Sequence, residues 1–98
     1  MILSLFKRTN FKELFAKGAL LLDVRNVDET AKDAVSGSVL IPLPELKNRI
    51  EELIEIDKPF VCVCVSGVRS GIAKKVLQKS GIEAYNGGSI NKMRKYHE

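Results

Sequence analysis

The stretch Pro59-Phe60-Val61-Cys62-Val63-Cys64-Val65-Ser66-Gly67-Val68-Arg69-Ser70 decides how this chain is read. Through Cys64 it is an uncharged apolar run, the look of a buried strand. Residues 70–80 carry a helical pattern, and Gly67 sits in the short turn between. A strand, a tight turn and a helix in that order bring the Cys64 sulfur to a point where backbone N–H groups converge at the positive end of a helix macrodipole. A thiol so placed is biased toward thiolate, the nucleophilic form.

Working outward, the helix over residues 70–80 is expected to turn Ile72, Val76 and Leu77 to the core and Lys74, Lys75, Gln78 and Lys79 to water, with Gly81 as its stop. A short strand over residues 83–85 follows, then Gly87-Gly88 turns the chain into a last helix from about Ser89. Upstream, Pro44 suits a first helical turn, and Leu46, Ile50, Leu53 and Ile54 repeat at helical spacing. Residues 39–41 read as a brief strand, and residues 27–33 as a short helical or irregular stretch. Residues 19–24 form a continuous apolar run ending in Asp23-Val24-Arg25, the mark of a parallel strand buried on both faces. Asn10 with Glu13 resembles a helix N-cap, with Phe11, Leu14 and Phe15 on one face and Gly18 as the stop. Strands alternating with helices predict an α/β fold, a parallel sheet flanked by helices on both faces. Ligands in such sheets sit beyond the C-terminal strand ends; Cys64 lies at one, Asp23 to Arg25 at another.

A chain of 98 residues is expected to make one domain over 1–98, with residues 1–9 as an N-terminal extension and 97–98 as a C-terminal tail. Hydrophobic content of 45% and charged content of 29% are ordinary for a globular protein. No apolar run approaches the roughly 20 residues that cross a bilayer. The apolar part of the first residues is too short for a secretory signal, and Lys7-Arg8 follows rather than precedes it; a soluble, cytoplasmic protein is expected, with no membrane partner. The net charge of +4 and pI of about 9.2 come largely from lysines spread over several helices, with Lys92, Arg94 and Lys95 as a solvated cluster. No aromatics interleave with these cations for base stacking, so no nucleic-acid partner is expected. Anionic small substrates or acidic protein partners would feel a favourable field. Cys62 and Cys64 share one face of the strand, are poorly placed for a disulfide, and suit a reducing compartment. With a single distant His97 they make a poor metal site, and none is expected.

Four segments together carry a family resemblance. Leu22-Asp23-Val24-Arg25 resembles an early Asp-Val-Arg motif. Gly37-Ser38-Val39-Leu40-Ile41-Pro42-Leu43 resembles a Gly-Ala-x-x-Ile-Pro-Leu segment. Cys64 to Ser70 resembles the active-site loop Cys-x-x-Gly-x-Arg-Ser. Gly81 to Gly88 resembles a closing strand and Gly-Gly turn. In this order they resemble the single-domain rhodaneses, which are sulfurtransferases. The resemblance implies a rhodanese-like sheet of about five strands. It further implies that Cys64 takes a sulfane sulfur from a small anionic donor such as thiosulfate, forms a persulfide, and passes the sulfur to cyanide, an acceptor thiol or a protein acceptor. Backbone amides from Val65 to Arg69, with the Arg69 side chain, would cradle the persulfide; Ser66 and Ser70 would offer hydroxyls. No metal or organic cofactor is implied. A monomer or weak dimer is expected.

Departures from the family pattern fall at three places. Asp33-Ala34 stands where a Gly-His pair is common, and the closing Leu-x-Gly-Gly reads Tyr85-Asn86-Gly87-Gly88. Val65 stands directly after the cysteine where a cationic or polar residue is frequent, which should weaken thiosulfate binding and favour a less charged donor or a protein persulfide. Cys62 is expected as a core residue beneath the loop, with a resolving thiol as the alternative. Asp23 and Arg25 are expected as a bracing ion pair, Gly67 as a steric necessity, Ser70 as a hydroxyl donor or, equally, just the helix N-cap, and His97 as solvated. A cysteine phosphatase or arsenate reductase is the first rival. Those loops set five residues between Cys and Arg, whereas four stand here, Val65 to Val68. A sulfur carrier or a binding module with little turnover is the second.

Overall fold

A computed structural model describes residues 8–97. The extension and tail expected at residues 1–9 and 97–98 therefore lie in large part outside the described residues. In chain order the elements are α1 (Phe11–Ala16), β1 (Leu20–Asp23), α2 (Val27–Asp33), β2 (Val39–Leu40), a 3-10 segment (Leu43–Arg49), α3 (Ile50–Ile56), β3 (Phe60–Cys64), α4 (Val68–Lys79), β4 (Ala84–Ser89) and α5 (Ile90–Arg94). The sheet has four strands in the order β2-β1-β3-β4, and every neighbouring pair is parallel. That is one strand fewer than the expected five or so: among the described residues, a helix or a 3-10 turn takes up each stretch between the four strands.

Strand parity builds the two halves of the core. Along β3, Phe60, Cys62 and Cys64 join Leu22, Val24, Ile41, Leu46, Leu53, Ala73 and Leu77 on the face covered by the 3-10 segment, α3 and α4. Val61 and Val63 point the other way, to Ala19, Leu21, Ile90 and Met93, with Phe11, Leu14 and Phe15 of α1 packed against them. All five β3 residues are buried, and burial of an apolar side chain of this size contributes roughly 1.5–3 kcal/mol. The central strand is thus fixed from both sides, and its C-terminal residue, Cys64, inherits that rigidity.

Several local expectations need correction. The helix expected around Pro44 to Ile54 divides into a 3-10 segment and α3; Leu46 and Leu53 face the core, while Ile54 is exposed. In α4 the buried residues are Ser70, Ala73 and Leu77, not Ile72, which is exposed. Ser70, whose side chain faces Cys64, lies on the buried face with Ala73 and Leu77, and a residue two further on points to the opposite side of a helix. The closing strand runs six residues instead of three, because Gly87-Gly88 lies within it. Register shifts there, with Cys62 opposite Asn86 and Val63 opposite Gly88, so Gly87 is the extra residue of a bulge. A Cβ at Gly87 would lie 2.7 Å from Val61 Cγ1 and 2.9 Å from Met93 Cγ; only glycine lets β4 lie so close to the core.

Candidate active site

The site is assembled where β3 ends and α4 begins. Cys64 exposes no surface (0%); its sulfur sits under the loop that runs to Ser70. The Gly67 N–H donates to Sγ at 3.0 Å and the Ser70 N–H at 3.4 Å. Gly67 makes this possible with φ of +101°, a left-handed conformation that L side chains resist. Its would-be Cβ position lies 3.3 Å from Gly88 Cα, so loop and edge strand touch backbone to backbone. The 12-residue α4 then directs its N-terminus at the sulfur.

Burial is the largest single influence on the Cys64 thiol and pushes its pKa up. The Ser70 hydroxyl and the N–H groups of Ser70, Gly67 and Ser66 pull it down, and together they prevail, leaving it at about 7 against an ordinary 9.0. Cys62, two residues earlier, has burial without those donors and is pushed up to about 12. Both cysteines are free thiols.

Two residues not picked out from the sequence complete the site. Asn86 accepts from the Ser70 hydroxyl at 2.7 Å and from the Gly88 N–H at 2.9 Å, and its amide donates to Gly67 O at 3.1 Å. Ser70 Oγ also lies 3.4 Å from Cys64 Sγ. One hydroxyl proton cannot serve both Asn86 and the sulfur. With its proton on Asn86, Ser70 Oγ is left to accept from the Cys64 thiol; a hydrogen bond from that hydroxyl to a Cys64 thiolate requires it to give up Asn86. The second residue is Glu29. Its carboxylate takes both terminal nitrogens of Arg69, at 2.7 and 3.1 Å, and also the Asn26 N–H at 2.9 Å. The Arg69 guanidinium, with help from that N–H, holds Glu29 at about 2. Arg69 therefore stands beside the loop already engaged. Sequence spacing offered no sign of that pair or of the contacts that Asn86 makes.

The remaining positions fall as follows. Val65 (56%) and Val68 (70%) are among the most exposed apolar residues, and Ser66 is exposed too. Asp23 and Arg25, both buried, form a two-point ion pair, Nε to Oδ1 at 3.0 Å and Nη2 to Oδ2 at 2.9 Å. Arg25 extends the pair to Asp33 at 2.9 Å, and Arg94 closes on the same carboxylate at 3.2 Å. Asp33, standing where the family often has glycine, thus ties α2 to α5. Such a buried pair is costly to break from one side. His97 is not simply solvated: its ring meets Phe15 edge-on at 4.5 Å.

The β3-loop-α4 turn thus sets a thiol under converging backbone donors at the C-terminal edge of a parallel sheet. The sequence matches the Rhodanese-like domain family over residues 7–92, and the chain belongs to that family. It is 41% identical over 83 residues to the Bacillus subtilis protein YqhL, covering 81% of this chain and 65% of that one. It is 40% identical over 63 residues to a B. subtilis protein named "Putative sulfur carrier protein YrkF", covering 64% of this chain and 34% of that one. The chain thus spans about a third of YrkF and just under two thirds of YqhL. Among solved structures, a rhodanese with anions from E. coli superposes with a TM-score of 0.69 at 28% identity, covering 76% of this chain and 91% of the other. No helix among the described residues is long and apolar enough to cross a membrane.

Proposed function

We propose that this chain is a sulfurtransferase that carries sulfane sulfur as a persulfide on Cys64. The observation that carries the reading is the pair of backbone donors on the sulfur, the N–H groups of Gly67 and Ser70, with the Ser70 hydroxyl 3.4 Å away, which favours an anionic sulfur there. In the first half-reaction the Cys64 thiolate attacks the outer sulfur of thiosulfate. The S–S bond of the donor breaks, sulfite leaves with the electron pair, and Cys64–S–S⁻ remains. In the second, cyanide or an acceptor thiolate attacks the outer sulfur, and Cys64 departs as thiolate. Sulfite leaves readily without a general acid, so Asp23 and Arg25 act as braces. The N–H groups of Val65, Ser66, Gly67, Val68, Arg69 and Ser70 form the cradle of the persulfide, by the physics of anion binding at a helix N-terminus. The reaction draws on no metal or organic cofactor, and a reducing, cytoplasmic setting suits the two free thiols.

A sulfur-carrier role with slow thiosulfate:cyanide turnover is the second reading. It is favoured by the Arg69 guanidinium already paired with Glu29, by the exposed Val65 and Val68 around the sulfur, and by the name of the relative YrkF. Intact mass after incubation with thiosulfate, then after a reductant, tests both. A reversible gain of about 32 Da, one sulfur atom, absent in Cys64→Ser, supports the persulfide. Loading without turnover to cyanide selects the carrier. No gain from thiosulfate or from a persulfide donor overturns both.

A further inference from the structure

The exposed face of α4 carries a feature that small-molecule sulfur transfer does not use. Val68, Ile72, Lys75, Val76 and Lys79 fall on one stripe of the helix. Val68 and Ile72 are 70% and 50% exposed. The stripe leads from the Cys64 loop into a groove of about 470 Å³ between α4 and the 3-10 segment. Ile50, Ile72 and Val76 give it an apolar floor, and Lys47, Lys75 and Lys79 line it. No carboxylate lines it. Of the acids nearby in the chain, Glu45 and Glu52 are taken by Arg49 and Glu51, beside Ile50, is exposed and does not line the groove, while none of the three lysines has an ion-pair partner among the described residues.

We propose that this groove docks an acidic segment of a partner protein, with an apolar side chain on the Ile50-Ile72-Val76 floor, so that the partner's cysteine reaches Cys64. The proposal rests on the sulfurtransferase reading and names its physiological partner class. Val68 and Lys79 lie eleven residues apart on α4, roughly 16 Å at the rise of an α-helix. A small anion held by the lysines could not touch the sulfur, whereas a polypeptide spans that distance. The apolar floor would add nothing for a fully hydrated ion, and unpaired cations on a net +4 chain complement acid rather than base. Apolar Val65 and Val68 extend the same surface to the rim of the loop.

The test uses a synthetic peptide in which glutamates flank a leucine pair and a single cysteine, beside a counterpart with lysines for the glutamates. Each is titrated at low salt into isotope-labelled protein while backbone amide shifts are followed. The expected result is saturable shifts at Val68, Ile72, Lys75, Val76, Lys79 and Lys47 with the acidic peptide only. Lys47→Glu/Lys75→Glu/Lys79→Glu should bind it at least about tenfold more weakly. Ile72→Ser, a milder change at an exposed site, should weaken it about threefold with the amide spectrum otherwise intact. Equal response to both peptides, shifts elsewhere, or undiminished binding by the triple variant overturns the proposal. Binding is read here without sulfur chemistry. Failed persulfide loading with intact groove binding therefore counts against the sulfurtransferase reading alone, and normal loading with no groove binding counts against the groove alone.

Discussion

Arg69 and Glu29, forty residues apart in sequence, meet in a two-point ion pair beside the Cys64 loop. The pair ties the N-terminus of α4 to the first turn of α2, so the loop is held from outside the sheet as well as from within it. Glu29 also closes its own helix by accepting from Asn26. A single carboxylate therefore sets both the start of α2 and the resting position of the loop's cation.

Substitution at either end of this pair should act in opposite directions. Arg69→Ala leaves the Glu29 carboxylate without its cation and removes the loop's positive charge; persulfide loading from thiosulfate should fall at least about tenfold, the loss of a charge-assisted contact worth more than about 1.4 kcal/mol. Glu29→Gln frees the guanidinium and should speed loading. Stopped-flow rates for both variants equal to the parent's would mean the backbone amides suffice. Because Glu29 is held near 2 rather than its ordinary 4.5, the pair's contribution to stability is fully present above 4.5 and is lost as pH falls toward 2.

Alkylation of Cys64 should follow a titration centred near 7, since that is where its thiol is held. Cys62, pushed to about 12, should stay unmodified through the same range. Cys64→Ser should abolish sulfur loading, while Cys62→Ser should retain most of it. Equal loss in the two variants would mean that the roles assigned to them are wrong. The depressed pKa also fixes a sign: Cys64 adds stability at pH above its ordinary 9.0, and that contribution disappears as pH falls through about 7.

Asn86→Ala should separate loop stability from thiol acidity. It deletes three hydrogen bonds, to Ser70, Gly88 and Gly67, and should lower unfolding stability by on the order of 1–3 kcal/mol in urea titrations. The Ser70 hydroxyl, no longer held by Asn86, turns fully to Sγ, so the alkylation midpoint of Cys64 should move down. A midpoint that moves up would mean that Asn86 does not compete for that proton.

Gly87→Ala should be strongly destabilising, because the new methyl meets Val61 Cγ1 at 2.7 Å and Met93 Cγ at 2.9 Å. Overpacking of this kind costs about 1–3 kcal/mol. Urea midpoints within error of the parent's would mean that β4 can retreat from β3 without cost.

Val65→Lys places a second cation at the exposed rim of the loop and should raise the rate of thiosulfate loading, with the effect shrinking as salt is added. Loading that does not change at low salt would assign the weak cationic field to another cause.

Strand parity was legible because residues 60–64 are all apolar and only the alternation of a pleat can sort them between two faces. The turn at Gly67 was legible for a related reason: a glycine between strand and helix has few other uses. The face of α4 was not. Its apolar residues suggested one stripe, but the buried face runs through Ser70, Ala73 and Leu77, with Ser70 against Cys64, and that setting leaves Ile72 outside. Glu29 and Asn86 were hidden for a different reason. Each is a polar residue on an ordinary surface element, and only three-dimensional neighbours, Arg69 in one case and Ser70 in the other, give it a task.

The contact between Gly67 and Gly88, with a would-be Cβ at 3.3 Å, limits how far the Cys64 loop can widen toward β4. The loop is roofed by its own edge strand, so an added residue between Cys64 and Arg69 has no room to bulge on that side. Enlarging the ring to wrap a tetrahedral oxyanion would require β4 to retreat, and β4 is pinned by the Gly87 bulge against Val61 and Met93. The width of the loop is limited by the edge of the sheet, and any redesign to enlarge it would have to begin at residues 86–88 rather than in the loop itself.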